Sequence, residues 1–186
     1  TLYKTADKLL KLGLNHGATG NCSCRVEDNF IITPSGISND DLNSRMMVEM
    51  DLDGNIIDNK NNLEPSSEWR FHQAILKDRK EINAVIHTHS PFASTLSLLN
   101  KEIPSFHYMI AVAGGDSVRC ASYAMFGTKK LSDNILVALK NRKACLIANH
   151  GLVSIGKDLD EAFRIAEEIE HLSLLYIEAK KIGEPN

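Results

Sequence analysis

The sequence predicts a single α/β domain over 1–186, with a central, mainly antiparallel sheet flanked by helices. Three observations carry that prediction. Apolar residues recurring every three to four positions alternate along the chain with short apolar runs, so helices and strands interleave. The turn-prone triplets Glu27-Asp28-Asn29, Asp53-Gly54-Asn55 and Asn149-His150-Gly151 each separate two strand-like runs at hairpin spacing, which favours antiparallel neighbours over a doubly wound parallel sheet. With 186 residues, 43% apolar and 24% charged, the chain can bury one core and has no bias toward disorder.

Leu2, Ala6, Leu9 and Leu10 form the apolar stripe of a first helix, which the glycines at 13, 17 and 20 end. Strands are expected at 22–26 and 30–33, where Pro34-Ser35-Gly36 breaks the run, and a second hairpin at 48–52 and 56–57. A polar loop over 59–64 leads to Pro65-Ser66-Ser67, read as the start of a helix that buries Trp69, His72, Ile75 and Leu76 and ends near Arg79. The run 84–89 reads as a buried strand, and Ser90-Pro91 opens a helix with proline in its first turn. Strand-like pieces follow at 108–112 and 118–123. Thr128 is placed to cap a helix over Leu131, Ile135 and Leu139. The runs 144–148 and 152–155 read as one hairpin. Asp158 and Glu161 have capping-box spacing before a final helix reaching Lys181.

Composition removes several functions. Twenty-one Lys and Arg against 24 Asp and Glu leave a net charge of −3, which supplies no attraction for nucleic acid. No run approaches the roughly 18 consecutive apolar residues of a membrane span, and no secretory leader is recognisable. Cys22, Cys24, Cys120 and Cys145 fit neither a disulfide framework nor CxxC zinc spacing; a reducing, cytoplasmic setting is expected. Cys22 and Cys24, two apart on a strand, read as packing residues of one face.

His87-Thr88-His89 ends an apolar run, and on a strand imidazoles two apart project to the same side, about 6–7 Å apart at the backbone. His150 ends another apolar run and is followed at once by glycine. Three neutral imidazoles meeting at strand ends would form a zinc site with a position left for water or substrate. Metal hydrolases on eight-stranded barrels also use HxH, but they need about 250 residues. Glu68 fits either an acid that stabilises a helix start or a base beside the metal. Ser66, Ser67 and the N–H groups there, with Gly20-Asn21 and Thr33-Pro34-Ser35-Gly36, are candidate phosphate turns. His72, at i+4 from Glu68, reads as a structural hydrogen-bonding group and not a ligand. His16 and His171 read as surface residues, His107 as a support for Tyr108, and 140–143 as a solvated basic helix end.

Taken in order, Gly20-Asn21-Cys22-Ser23, Ile32-Thr33-Pro34-Ser35-Gly36, Pro65-Ser66-Ser67-Glu68-Trp69-Arg70, His87-Thr88-His89 and Asn149-His150-Gly151-Leu152 resemble the class II aldolase/adducin family. Ile103-Pro104, His107-Tyr108-Met109-Ile110-Ala111, Ala113-Gly114-Gly115 and Phe126-Gly127-Thr128 are similar to its fuculose-phosphate-cleaving branch. The resemblance implies a three-layer α-β-α fold with a nine-stranded sheet, and a homotetramer with active sites between subunits. It implies a zinc-dependent lyase that splits a ketose 1-phosphate at C3–C4, through a metal-stabilised enediolate, into dihydroxyacetone phosphate and an aldehyde. His87, His89 and His150 would hold zinc, with Glu68 touching it in the empty site and otherwise acting as general acid/base. Asn21, Ser35, Gly36, Ser66 and Ser67 would hold the phosphate. Tyr108 of a neighbouring subunit would exchange a proton with the aldehyde-side oxygen, and Phe126 would line the aldehyde end. That branch continues past the position of Asn186 with aromatic residues that cover the site. Sugar-phosphate epimerases, other aldolases and a dehydratase share the family, as do non-catalytic adducin-like domains.

Overall fold

The computed structural model describes residues 1–38, 40–58 and 62–185. Eight strands form one sheet among these residues: β1 (Asn21–Val26), β2 (Asn29–Ile32), β3 (Val48–Asp51), β4 (Ile56–Asp58), β5 (Ala84–Thr88), β6 (Arg119–Ala121), β7 (Ala144–Ile147) and β8 (Gly151–Gly156). Their order is β4-β3-β2-β1-β5-β8-β7-β6. All neighbours are antiparallel except β6 and β7. That pair is joined through helix α4 (Lys129–Ala138), and a strand-helix-strand crossover returns the chain in the same direction. The sheet is therefore mixed, with eight strands where the resemblance implied nine.

Both faces are covered, which explains why β5, β7 and β8 read as continuous apolar runs and not as alternation. Val85, Cys145, Ile147 and Val153 pack with Phe71, Ile75, Leu131 and Ile135 of α2 (Trp69–Asp78) and α4. On the opposite face Cys22, Ala84, Ile86, Leu146 and Leu152 meet α1 (Leu2–Lys11), α3 (Pro91–Ser97) and α5 (Leu159–Ile182). Cys22 and Cys24 both belong to this second core, as their two-residue spacing requires. No helix among the described residues is long and apolar enough to cross a membrane.

The local signals hold at Thr128, whose side chain accepts from the Leu131 N–H, and at Asp158, which accepts from the Glu161 N–H at 2.7 Å. Glu161 turns back to the Lys157 N–H, one residue before the capping box would place it. Three expectations change, and part of a fourth falls outside the described residues. Helix α2 begins at Trp69, and 65–67 form the bridge and turn before it. The expected strand at 108–112 is a 3-10 helix, Tyr108–Ala113, because the His107 ring accepts from the Met109 N–H and Gly114 ends the turn at φ 85°. The basic run 140–143 is only partly solvated, since Arg142 pairs with Asp116 and Lys143 with Glu161. Of the polar loop at 59–64, residues 59–61 lie outside the described residues.

Glu170 on α5 is buried and accepts from the N–H groups of Phe92 and Ala93, at 2.9 and 2.8 Å. It thus closes the first turn of α3, where N–H groups lack helical partners. Replacing Glu170 with alanine strands both donors, and urea unfolding is expected to show a loss of about 3 kcal/mol. A loss below about 0.5 kcal/mol would contradict this role.

Candidate metal centre and its cavity

Strand β5 delivers His87, and the chain leaving it delivers His89. His150 comes from the tight connection between β7 and β8, in which Asn149 adopts φ 55°. Gly151 follows because the backbone there runs against β5: a Cβ would sit 2.3 Å from the Thr88 carbonyl oxygen. Glu68 stands at the N-cap of α2, yet its carboxylate makes no capping bond and turns inward. Its carboxylate thus faces the cluster and does not cap the helix by a hydrogen bond.

These four side chains converge. His87 Nε2 lies 3.0 Å from His89 Nε2, 3.3 Å from His150 Nε2 and 3.2 Å from Glu68 Oε2, while Glu68 Oε1 lies 3.5 Å from His150 Nε2. One ligand atom from each falls within 4.8 Å of all the others. Tetrahedral donors at zinc–nitrogen distances of about 2.0–2.1 Å stand roughly 3.3 Å apart, so the spacing suits one small cation. The chemistry of the donors agrees. His87 Nδ1 donates to the Leu152 carbonyl at 2.9 Å, which leaves Nε2 to face the cluster as a metal-ligating nitrogen does. Glu68 Oε1 is buried without a hydrogen-bond partner, an orphaned acceptor that a cation would satisfy.

Electrostatics point the same way. Burial, then the neighbouring His87 charge, push His89 down to about 3 and His150 to about 4, so both are neutral near pH 7. Burial opposes charge on both His87 and Glu68, but each faces the other and overrides it: His87 is raised and Glu68 is held well below the usual carboxylate range. Because the folded His87 is raised, it keeps its proton to higher pH, and metal must displace that proton. Zinc uptake by the metal-free chain at pH 6 is expected to release protons and to weaken as pH falls. Calorimetry in buffers of different ionisation enthalpy measures this, and uptake with no proton release at pH 6 would refute the pairing.

The cluster opens on a cavity of about 370 Å³. Its wall contains Gly20, Asn21, Ser35, Gly36, Ser66, Ser67 and Phe126, together with Glu68, His89 and His150. Two turns that are far apart in sequence are bridged here at Pro34 and Pro65. Ser66 N–H donates to the Thr33 carbonyl at 3.0 Å and Ser35 N–H to the Glu64 carbonyl at 2.9 Å. Tyr108 is 82% exposed and does not line this cavity, so a single copy of the chain does not bring it to the cluster. His72 makes its structural hydrogen bonds to Ser23 and Asn21 and stays outside the metal cluster.

Some supporting residues were not singled out from sequence. Asn15, buried after α1, accepts from the His89 N–H at 3.0 Å. Ser97, buried at the end of α3, accepts the His150 N–H on its hydroxyl at 3.2 Å and the Asn149 N–H on its carbonyl at 3.0 Å. Tyr123 and Ala124 line the cavity beside Phe126. Asn15 and Ser97 have no local signature, since a polar residue near a helix end ordinarily meets water.

Comparison with known proteins adds an independent line. The family model for the class II aldolase and adducin N-terminal domain matches residues 1–177. A 5-methylthioribulose-1-phosphate/5-deoxyribulose-1-phosphate aldolase of Rhodospirillum rubrum is 44% identical over 99% of this chain and 82% of its own length. An L-fuculose phosphate aldolase of Escherichia coli K12 is also 44% identical, over 99% of this chain and 84% of its own. A solved L-fuculose 1-phosphate aldolase superposes with a TM-score of 0.95 at 40% identity, covering 100% of this chain and 87% of that one.

Proposed function

Since the chain belongs to the class II aldolase and adducin family, we propose that it is a zinc-dependent lyase cleaving a ketose 1-phosphate to dihydroxyacetone phosphate and an aldehyde. The observation that carries this reading is the convergence of His87, His89, His150 and Glu68 beside a cavity walled by two hydroxyl-bearing turns. The nitrogen-rich donor set suits zinc. A cation held by these residues supplies Lewis-acid stabilisation of the negative charge that C3–C4 cleavage leaves beside the C2 carbonyl.

The chain's own groups do the remainder. Asn21, Ser35, Gly36, Ser66 and Ser67 hold the phosphate and so fix the sugar's position. Tyr108 of a neighbouring subunit relays the proton of the C4 hydroxyl to water as the C3–C4 bond breaks and the aldehyde forms, passing on its own phenolic proton as it takes that one up. The Glu68 carboxylate takes up a proton from water and passes it to C3, completing dihydroxyacetone phosphate. Phe126 lines the aldehyde end. An assembly with sites shared between subunits, a homotetramer, reconciles the exposure of Tyr108 with this role. We place the enzyme in the cytoplasm.

The two relatives at equal identity are named for different sugars, and this supports a panel over a single substrate. Zinc-loaded protein is expected to release dihydroxyacetone phosphate from at least one of L-fuculose 1-phosphate, 5-deoxyribulose 1-phosphate and 5-methylthioribulose 1-phosphate. Cleavage of none by a zinc-loaded preparation would overturn the aldolase reading. A chain that binds no zinc would favour a non-catalytic, adducin-like role instead.

A further inference from the structure

His72 lies outside the metal cluster and does not line the cavity, yet it is fully buried and both of its ring nitrogens are engaged. Nδ1 is 2.8 Å from the Ser23 hydroxyl, and Nε2 is 2.5 Å from Asn21 Oδ1. The other end of the same amide, Asn21 Nδ2, donates to Glu68 Oε2 at 3.0 Å. Ser23, Asn21 and Glu68 are themselves buried.

We propose that His72 is a positioning residue: through Asn21 it fixes which edge of that amide faces Glu68, and thereby where the Glu68 carboxylate sits. This rests on the reading of Glu68 as the proton carrier. The logic of donors and acceptors runs one way. An amide oxygen turned toward a carboxylate would place two acceptors at hydrogen-bond distance, so the NH₂ edge must face Glu68. Asn21 Oδ1 then points at His72 and needs a donor, so Nε2 of that ring carries a hydrogen. In the neutral ring Nδ1 is left as an acceptor, and the Ser23 hydroxyl supplies its donor. The three bonds form a chain in which each member has one arrangement that satisfies all. Asn21 also lines the cavity, so the same lock fixes how this side chain meets what the cavity holds. With a ring that cannot donate, Asn21 Oδ1 is stranded in a buried site and the amide is free to flip.

Two measurements test this. Long-range ¹⁵N–¹H correlation spectra of the intact protein should show His72 protonated at Nε2, and protonation at Nδ1 alone would overturn the proposal. Among variants, His72→Gln puts an N–H donor near the position of Nε2, His72→Asn puts its amide near Nδ1 and out of reach of Asn21, and His72→Leu donates nothing. The expected result is a loss in kcat of about 10- to 100-fold for His72→Asn and His72→Leu, with His72→Gln within about threefold of the unaltered protein. Equal losses in the Gln and Asn variants at similar melting temperature would overturn the proposal, and that pair decides even if the Leu variant does not fold. The spectra need no substrate. A chain with Nε2-protonated His72 that cleaves none of the three sugars would keep the lock and refute the reaction alone.

Discussion

Stripping metal from the protein with a chelator, or replacing His150 with alanine, is expected to lower kcat by at least about 10³-fold. Lewis-acid stabilisation of developing charge is worth several kcal/mol, and each 1.4 kcal/mol is about a factor of ten in rate. The cavity makes the dependence sharper than usual. No Lys or Arg lines it among the described residues, and its lining carboxylate is Glu68. From the cavity wall of one copy a phosphorylated substrate therefore meets neutral donors and one negative group, so a bound cation is expected to balance the charge. Binding should weaken along with turnover. The His150→Ala variant should still fold, because the turn bearing it is anchored through main-chain N–H groups on Ser97 and not through the imidazole. Adding zinc back is expected to restore the chelated protein and to leave the variant inactive. Full activity in a metal-free preparation, verified by elemental analysis, would refute the assignment.

The sequence carried the elements well because most of their signals are local. Turn triplets at 27–29, 53–55 and 149–151 each close a hairpin in the structure, and the Thr128 and Asp158 caps form as their spacing requires. Where reading failed, a tertiary partner decided. The apolar run at 108–112 fits strand or helix by periodicity, and the 3-10 turn is chosen by the His107 cap and by packing against α5. The three imidazoles were visible as strand-end histidines, since a strand must stop at the sheet edge and its last side chains face the open end. Their mutual approach was not visible, because it depends on β5 and β8 being neighbours in an order that hairpin signals alone do not set. Asn15, Ser97 and the Ser23–His72–Asn21 chain were hidden for the same reason: each joins residues far apart in sequence, 49 to 74 positions.

Replacing Glu68 with glutamine is expected to separate proton transfer from metal holding. Glutamine has the size of glutamate, and its amide oxygen can still accept the Asn21 N–H that now bonds Oε2 at 3.0 Å. The three imidazoles are untouched, and each has its own support: Leu152 for His87, Asn15 for His89 and Ser97 for His150. Zinc content should therefore stay near that of the unaltered protein. What glutamine cannot do is take up or give a proton near neutral pH. General acid–base catalysis contributes about 10²- to 10⁴-fold, and kcat is expected to fall by that factor while KM changes by less than about threefold. A carboxylate that served only as a fourth ligand would give the opposite pattern, with zinc lost and activity recovered at high zinc concentration. Glu68 Oε2 is held by Asn21, whereas Oε1, 3.5 Å from His150 Nε2, makes no hydrogen bond, so the carboxylate is fastened by a hydrogen bond at one oxygen only. A group fastened in that way can present its free oxygen to the sugar carbon without leaving its anchor, and a kcat deficit at full zinc occupancy is the signature that this geometry requires.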